Sequence, residues 1–419
     1  MKLRKFVASA AVAGIALTAL AACGGGDDDS SSGSGSGSDT ITLWLAGKED
    51  TPQVAADWLT KEFAAQHEGK TLKIERIDWG ELTTRLNTAL PSDKSPDVVE
   101  VGNTQAASYT SIGAFTDLTD KKSELGAMGP ESFVEAGTWD GKLYAVPYYW
   151  GSRYVFYSKK AFKDAGLGVP TTLADFQKAA VQLKADGGDK YSGFWLPGQD
   201  WRNGISWIFA NGGEIATQDG GKWTGGLSSP ESIKGLTQWQ QLAEKATTAP
   251  KDGKDEEPWT SFNNGESAMF MAPSWARWSV AKDKADDLGA FALPGADGGA
   301  APVFAGGSNI AVSAKSKNQD LAFDVLKLIY SDDYQQLLAK NALGPANEEF
   351  TSLMGDDEFA KAAIAAASNS KLTPTSPNWV AVESASIMEE FFGALANGKD
   401  VAATAKATDA KLATELNKK

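Results

Sequence analysis

Three observations predict an α/β fold. Between Ile41 and Val101, segments with strand-like alternation take turns with segments of helical period. A second strand-and-helix series occupies the middle of the chain. The 419 residues suffice for more than one hydrophobic core.

Taken in order, Ile41–Leu45 alternates and breaks at Ala46-Gly47, a strand running into a loop. A helix is predicted from about Pro52 to Gln66, with Pro52 suited to a first turn. Leu72–Ile77 reads as a second strand, and Trp79–Leu90 as a helix with Leu82, Leu86 and Leu90 on one face. Asp97–Val101 reads as a third, buried strand ending at Gly102. Strand, helix, strand, helix, strand is the signature of a parallel sheet covered by helices. Ligands of such sheets sit beyond the carboxyl ends of the strands. That rule selects two loops, Ala46–Asp50 with Lys48, Glu49 and Asp50, and the Glu100–Gln105 stretch with Glu100, Asn103 and Gln105. A solvated loop is the alternative for each residue; Glu100 and Asn103 are preferred because the strand before them is buried.

Further along, Tyr154–Tyr157 reads as a strand, Leu173–Ala185 as a helix and Phe194–Leu196 as a short strand. Ile205–Ala210 reads as a helix stopped by Asn211-Gly212-Gly213. Asn309–Val312 is a predicted strand, followed by helices over Gln319–Tyr330 and Asp333–Ala339 and an Ala-rich helical end from about Ser384. No internal repeat is present.

The beginning has a different character. Lys2, Arg4 and Lys5 precede an apolar run from Phe6 to Ala22, the layout of a secretory signal. The run is too short and Ala-rich for a membrane span. Leu20-Ala21-Ala22-Cys23 is similar to a bacterial lipobox. That resemblance implies cleavage before Cys23 and lipid on its sulfur and new amino group. The Gly, Asp and Ser residues that follow have nothing apolar to bury and read as a tether. Two acyl chains suffice for stable anchoring.

Composition removes several function classes. The formal charge is −14, and loss of the leader takes away cations only, which argues against nucleic acid or an anionic membrane surface as partner. Cys23 is the single cysteine, so thiol catalysis and a disulfide framework are excluded. His67 is the single histidine and follows a helical run, where it is expected at an exposed helix end. One histidine argues against a Ser-His-Asp hydrolase or a histidine-rich zinc site. Gly306-Gly307 lacks the lysine of a phosphate loop, and no cofactor is expected. Carboxylate chemistry is the surviving enzymatic option. Of 14 tryptophans, Trp150, Trp201, Trp259, Trp275 and Trp379 fall in segments that read as loops, which suggests a shared concave surface.

An ordered set of segments carries a family resemblance: Pro96–Val99, Gly141–Pro147, Tyr157–Lys160 with Pro170–Thr172, and Ala210–Glu214. Phe262–Met269 with Pro273-Ser274-Trp275 follows, then Gly306–Asn309 and Ser316–Asn318. Together they resemble the family 1 extracellular solute-binding proteins of ABC importers, the maltose-binding type. The resemblance implies a two-lobed periplasmic-binding-protein-like fold of type II, with the ligand cleft between the lobes and closure by a hinge. It implies a leader over 1–22, a tether over 23–39, one lobe from 40–146 and 306–340, and a second from 147–305 and 346–419. The crossings fall near Pro147, Ala305 and Lys340–Pro345. It further implies a monomeric, non-enzymatic protein that binds a carbohydrate and passes it to permease subunits.

A sugar offers apolar C–H faces and a ring of hydroxyls, which aromatic and polar side chains match respectively. Carried over by position, Trp275 and Trp379 correspond to stacking tryptophans. Gln199, Asp200, Trp201 and Arg202 stand where polar and aromatic contacts occur, with Trp201 and Asp200 favoured. Tyr148 and Trp150 could line the cleft floor or pack the hinge, and Arg277 could meet hydroxyls or pair with Glu100. The tryptophan and charged residues that the maltose-binding type carries in the loop after strand three are absent here, which puts an identical ligand in doubt. A glycoside hydrolase, and the same fold with a polyamine, peptide or iron-chelate cargo, stay open; Tyr148-Tyr149 is the feature favouring iron.

Overall fold

The computed structural model describes residues 39–48, 50–254 and 256–418. The leader, Cys23, the tether before Asp39 and the candidate contact Glu49 lie outside the described residues.

The first lobe begins with β1 (Thr40–Ala46), α1 (Gln53–Gln66), β2 (Thr71–Ile77), α2 (Trp79–Ala89), β3 (Val98–Gly102) and α3 (Asn103–Ser111). β1 pairs in parallel with β2 along its length and with β3 at Leu43 and Trp44. The full sheet has six strands in the order Gly344–Pro345, Ala145–Trp150, Gly307–Val312, β3, β1, β2. Gly307–Val312 runs antiparallel to both its neighbours. Alternation along β1 divides the core. Ile41, Leu43 and Leu45 pack with Ala55, Leu59 and Phe63 of α1 on one face, while Trp44 and Ala46 meet Leu82 and Leu86 of α2 on the other. β3 is buried throughout, as a strand covered on both faces must be. His67 caps α1 but is only partly exposed: its ring centroid lies 4.7 Å from that of Phe63, and Nε2 is 3.5 Å from Asp324.

The second lobe is built on a three-stranded antiparallel sheet with Arg153–Ser158 between Met269–Pro273 and Leu288–Phe291. Helices Leu173–Gly187, Trp201–Ala210, Pro230–Lys245, Ile387–Ala396 and Val401–Leu416 contribute to one apolar core with it. Two local expectations are corrected here. Gln199–Arg202 is no loop but the entry to the helix Trp201–Ala210: the Asp200 side chain accepts the Asn203 N–H and caps it. Phe194–Leu196 forms no strand; Trp195 makes a single parallel bridge to Phe270.

The chain passes between lobes at three places. The first-lobe sheet holds the chain through Trp150, beyond Pro147, before Gly151 N–H bonds Gly306 O at 2.9 Å. The return runs through Ala305–Gly307, and the third passage lies at Ala342–Ala346. There Trp150 Nε1 donates to Pro345 O at 3.1 Å, and Ser274 Oγ donates to Ala342 O at 3.1 Å. Glycine is required at two of these points. A Cβ on Gly344 would stand 1.8 Å from the Trp150 ring, and one on Gly151 would stand 2.9 Å from the Trp275 ring.

Candidate functional site

At the carboxyl edge of the first-lobe sheet, Asp50 and Thr51 follow β1, Trp79 follows β2, and Asn103, Thr104 and Gln105 follow β3. Trp79 Nε1 donates to Asp50, and the indole is 36 % exposed. The Trp79 ring passes Gly102 at a distance that would be ordinary contact for a side chain there. Gln105 Nε2 donates to Thr83 at 3.0 Å, while its Oε1 is buried with no hydrogen-bond partner.

Glu100 lies behind this edge. Alternation puts it on the same face of β3 as Val98, inside the lobe, and it is fully buried. Its carboxyl accepts the Ala46 N–H at 2.8 Å and the Ser308 hydroxyl at 2.6 Å. Burial pushes its pKa up to about 8; the charge of Asp50 adds to the rise, and the bonds from Ser308, Ala46 and Tyr149 oppose it. Tyr149 Oη is buried and has no partner of good hydrogen-bond geometry. Tyr148 Oη is shared between Thr51 at 2.9 Å and Tyr334 at 2.7 Å. Burial drives both phenols well above their usual range.

Facing this edge, the second lobe presents the 3₁₀ turn Ser274–Ser279 and the helix Trp379–Ser384. Trp275 is half-buried and lies over Gly151 at the hinge. The lobes touch through Glu383, whose carboxylate accepts Thr104 Oγ1 at 2.9 Å and Gln105 Nε2 at 3.2 Å from the first lobe. Trp379 Nε1 donates to the same carboxylate at 3.0 Å, one helical turn away. Aromatic faces, amides and carboxylates thus converge where the strand ends of one lobe meet the other. Concavities of about 470 Å³ lie elsewhere, one lined by Thr116, Lys121 and Phe323 and another by Trp195, Glu256 and Glu266.

The structure separates the candidate residues. Trp275 stands at the junction with part of its surface open. Asn103 is buried, its Nδ2 donating to Ala305 O at 2.6 Å. Glu100 and Tyr148 are interior to the first lobe, and Trp150 packs into the hinge with Phe133 and Ala305. Trp201 and Trp379 form an edge-on pair, centroids 6.1 Å apart, with 1 % and 0 % exposure. Neither offers a stacking face in this conformation. Trp201 Nε1 donates to Glu389 at 3.1 Å, and the Arg202 guanidinium covers its ring at 4.7 Å. Asp200 is buried and engaged with Asn203. Arg277 does not reach Glu100; it pairs with Asp357 at 3.2 Å. Trp259 opens a separate helix, Trp259–Asn263, packed on the second-lobe core, so the five loop tryptophans do not share one surface. Trp79 and Glu383 join the site without having been singled out. Trp79 follows β2 much as Asp50 follows β1 and Asn103 follows β3.

Two α/β lobes, joined by three passages of the chain and meeting over a polar and aromatic seam, have the architecture of a two-lobed binding protein. The chain belongs to the family of bacterial extracellular solute-binding proteins, whose profile matches residues 47–336. It is 34 % identical to the diacetylchitobiose binding protein DasA of Streptomyces coelicolor, covering 99 % of this chain and 98 % of that protein. The multiple sugar-binding protein of Streptococcus mutans is 26 % identical, with 76 % of each covered. In three dimensions the fold matches a solute-binding protein of Thermotoga lettingae bound with α-D-tagatose, with TM-score 0.78, 18 % identity, and 91 % of this chain and 100 % of that one covered. It also matches the GacH receptor of Streptomyces glaucescens, known with acarbose, with TM-score 0.76, 22 % identity, and 90 % and 98 % covered.

Proposed function

We propose that the chain is the sugar-binding component of an ABC importer, holding a di- or oligosaccharide between its lobes and releasing it to permease subunits. The observation that carries this reading is the full-length kinship to a diacetylchitobiose binding protein. The seam suits such a ligand: Trp275 and Trp79 offer indole surface, Gln105 Oε1 lacks a donor, and Asp50 and Glu383 are acceptors for hydroxyl or amide hydrogens. Glu383 then acts twice, joining the lobes to each other and to the ligand. The protein works as a monomer, without turnover, tethered through lipidated Cys23 to the outer face of the cytoplasmic membrane.

Melting temperature and tryptophan fluorescence, read against mono-, di- and oligosaccharides, test this. Ligand at 100-fold its dissociation constant stabilises the folded state by about 2.7 kcal/mol. A shift with N,N′-diacetylchitobiose or another saccharide, lost in Trp275→Ala, supports the reading. A shift only with polyamines, peptides or ferric chelates overturns the sugar, and hydrolysis of chromogenic glycosides overturns the absence of turnover.

A further inference from the structure

We infer that Trp278 extends the ligand-binding surface outward from Trp275 and provides a place for an additional sugar ring. This rests on the sugar reading above and goes beyond it to the length of the ligand. Trp275 and Trp278 belong to the same 3₁₀ turn, Ser274–Ser279. In such a turn residues three apart eclipse and each residue rises about 2.0 Å, so both indoles leave one side of the turn, roughly 6 Å apart along its axis. That spacing is on the scale of one pyranose ring. The inner indole is half-buried against Gly151 at the seam, whereas the outer one is 67 % exposed.

A singly exposed apolar ring needs no explanation in itself. Trp278 differs in being braced. The Arg277 guanidinium lies 4.6 Å from the centroid of Trp278 and 4.4 Å from that of Phe359, and Asp357 holds it by the 3.2 Å ion pair. The cation lies over the indole ring, which still stays 67 % exposed. An indole already held in place loses little freedom on binding. Its ring is flat and apolar, which suits the C–H side of a pyranose, and it stands one 3₁₀ turn beyond Trp275 in the chain.

The test is isothermal titration of the wild-type protein, Trp278→Ala and Trp278→Phe with N-acetylglucosamine oligomers and maltose oligomers of one to four rings. The readout is the ratio of trisaccharide to disaccharide affinity. One added stacking contact makes that ratio about tenfold in the wild type. It falls to about one in Trp278→Ala and is largely restored in Trp278→Phe. Equal di- and trisaccharide affinities in the wild type overturn the inference. So does a Trp278→Ala protein that weakens both ligands by one factor and keeps the ratio. If disaccharide binds and the ratio ignores Trp278, the inference falls alone; if no oligomer of either series binds, the sugar reading falls and takes the inference with it.

Discussion

Replacing Glu100 by glutamine changes how stability depends on pH, and the sign follows from the burial of one carboxyl group. In the folded chain Glu100 titrates at about 8, against an ordinary value of 4.5. Between those two values the folded state keeps a proton that the unfolded state has released. Stability is therefore highest below the lower value, falls as pH rises through the window, and levels off above the upper one. The slope is about 1.4 kcal/mol per pH unit for one proton, so the wild type loses about 4 kcal/mol from pH 5 to pH 8 through this group. The amide in Glu100→Gln has no proton that titrates in this range. Its carbonyl can still accept from Ala46 or Ser308, and its NH₂ group has the neighbouring Tyr149 hydroxyl as an acceptor. Urea unfolding of both proteins at each pH from 5 to 9 checks this, because other titrations cancel in the difference. Glu100→Gln gains on the wild type steadily across the window and then runs parallel to it. A difference that is flat with pH refutes the reasoning.

Four further outcomes are expected. Trp201→Ala lowers stability by about 3–5 kcal/mol, measured by denaturant unfolding, because it empties a fully buried indole site; loss of sugar affinity without loss of stability would contradict its burial. Gly344→Ala drives a methyl group into the Trp150 ring and costs about 1–3 kcal/mol or more, seen as a lower melting temperature. Glu383→Ala removes the bonds from Thr104 and Gln105, so the ligand-free protein opens and its radius of gyration in X-ray scattering rises; an unchanged curve argues against a latch. Cys23→Ala moves the protein from the membrane fraction to the soluble fraction, and unchanged retention rejects the lipid anchor.

Periodic segments were the legible ones. α1, α2 and β3 lie within a residue or two of where their apolar spacing puts them, since each buries a face that the pattern already displays. The start of the helix Trp201–Ala210 is legible too once Asp200 is read as a cap instead of a loop contact. Phe194–Leu196 misleads because three apolar residues in a row show no period; they are buried by neighbours rather than by a ladder. The seam is harder. Glu383 meets Thr104 across 279 residues, and nothing local marks a carboxylate for a partner in another lobe. Trp201 and Trp379 show the converse. A tryptophan at the first turn of a helix resembles a loop residue in sequence, yet the helix can turn it into the core.

The strand Gly307–Val312 lies between Ala145–Trp150 and β3, in the middle of the first-lobe sheet. A growing chain that has synthesised β1, β2 and β3 therefore lacks the strand that covers the inner edge of β3, and it must make the whole sheet of the second lobe before that strand arrives. Contacts so distant in sequence form late and slowly. During synthesis the first half of the protein stays an incomplete sheet, with the inner edge of β3 unpaired. A chain in that condition can be threaded through a narrow channel without first being pulled apart, and it completes itself only once its second half has followed.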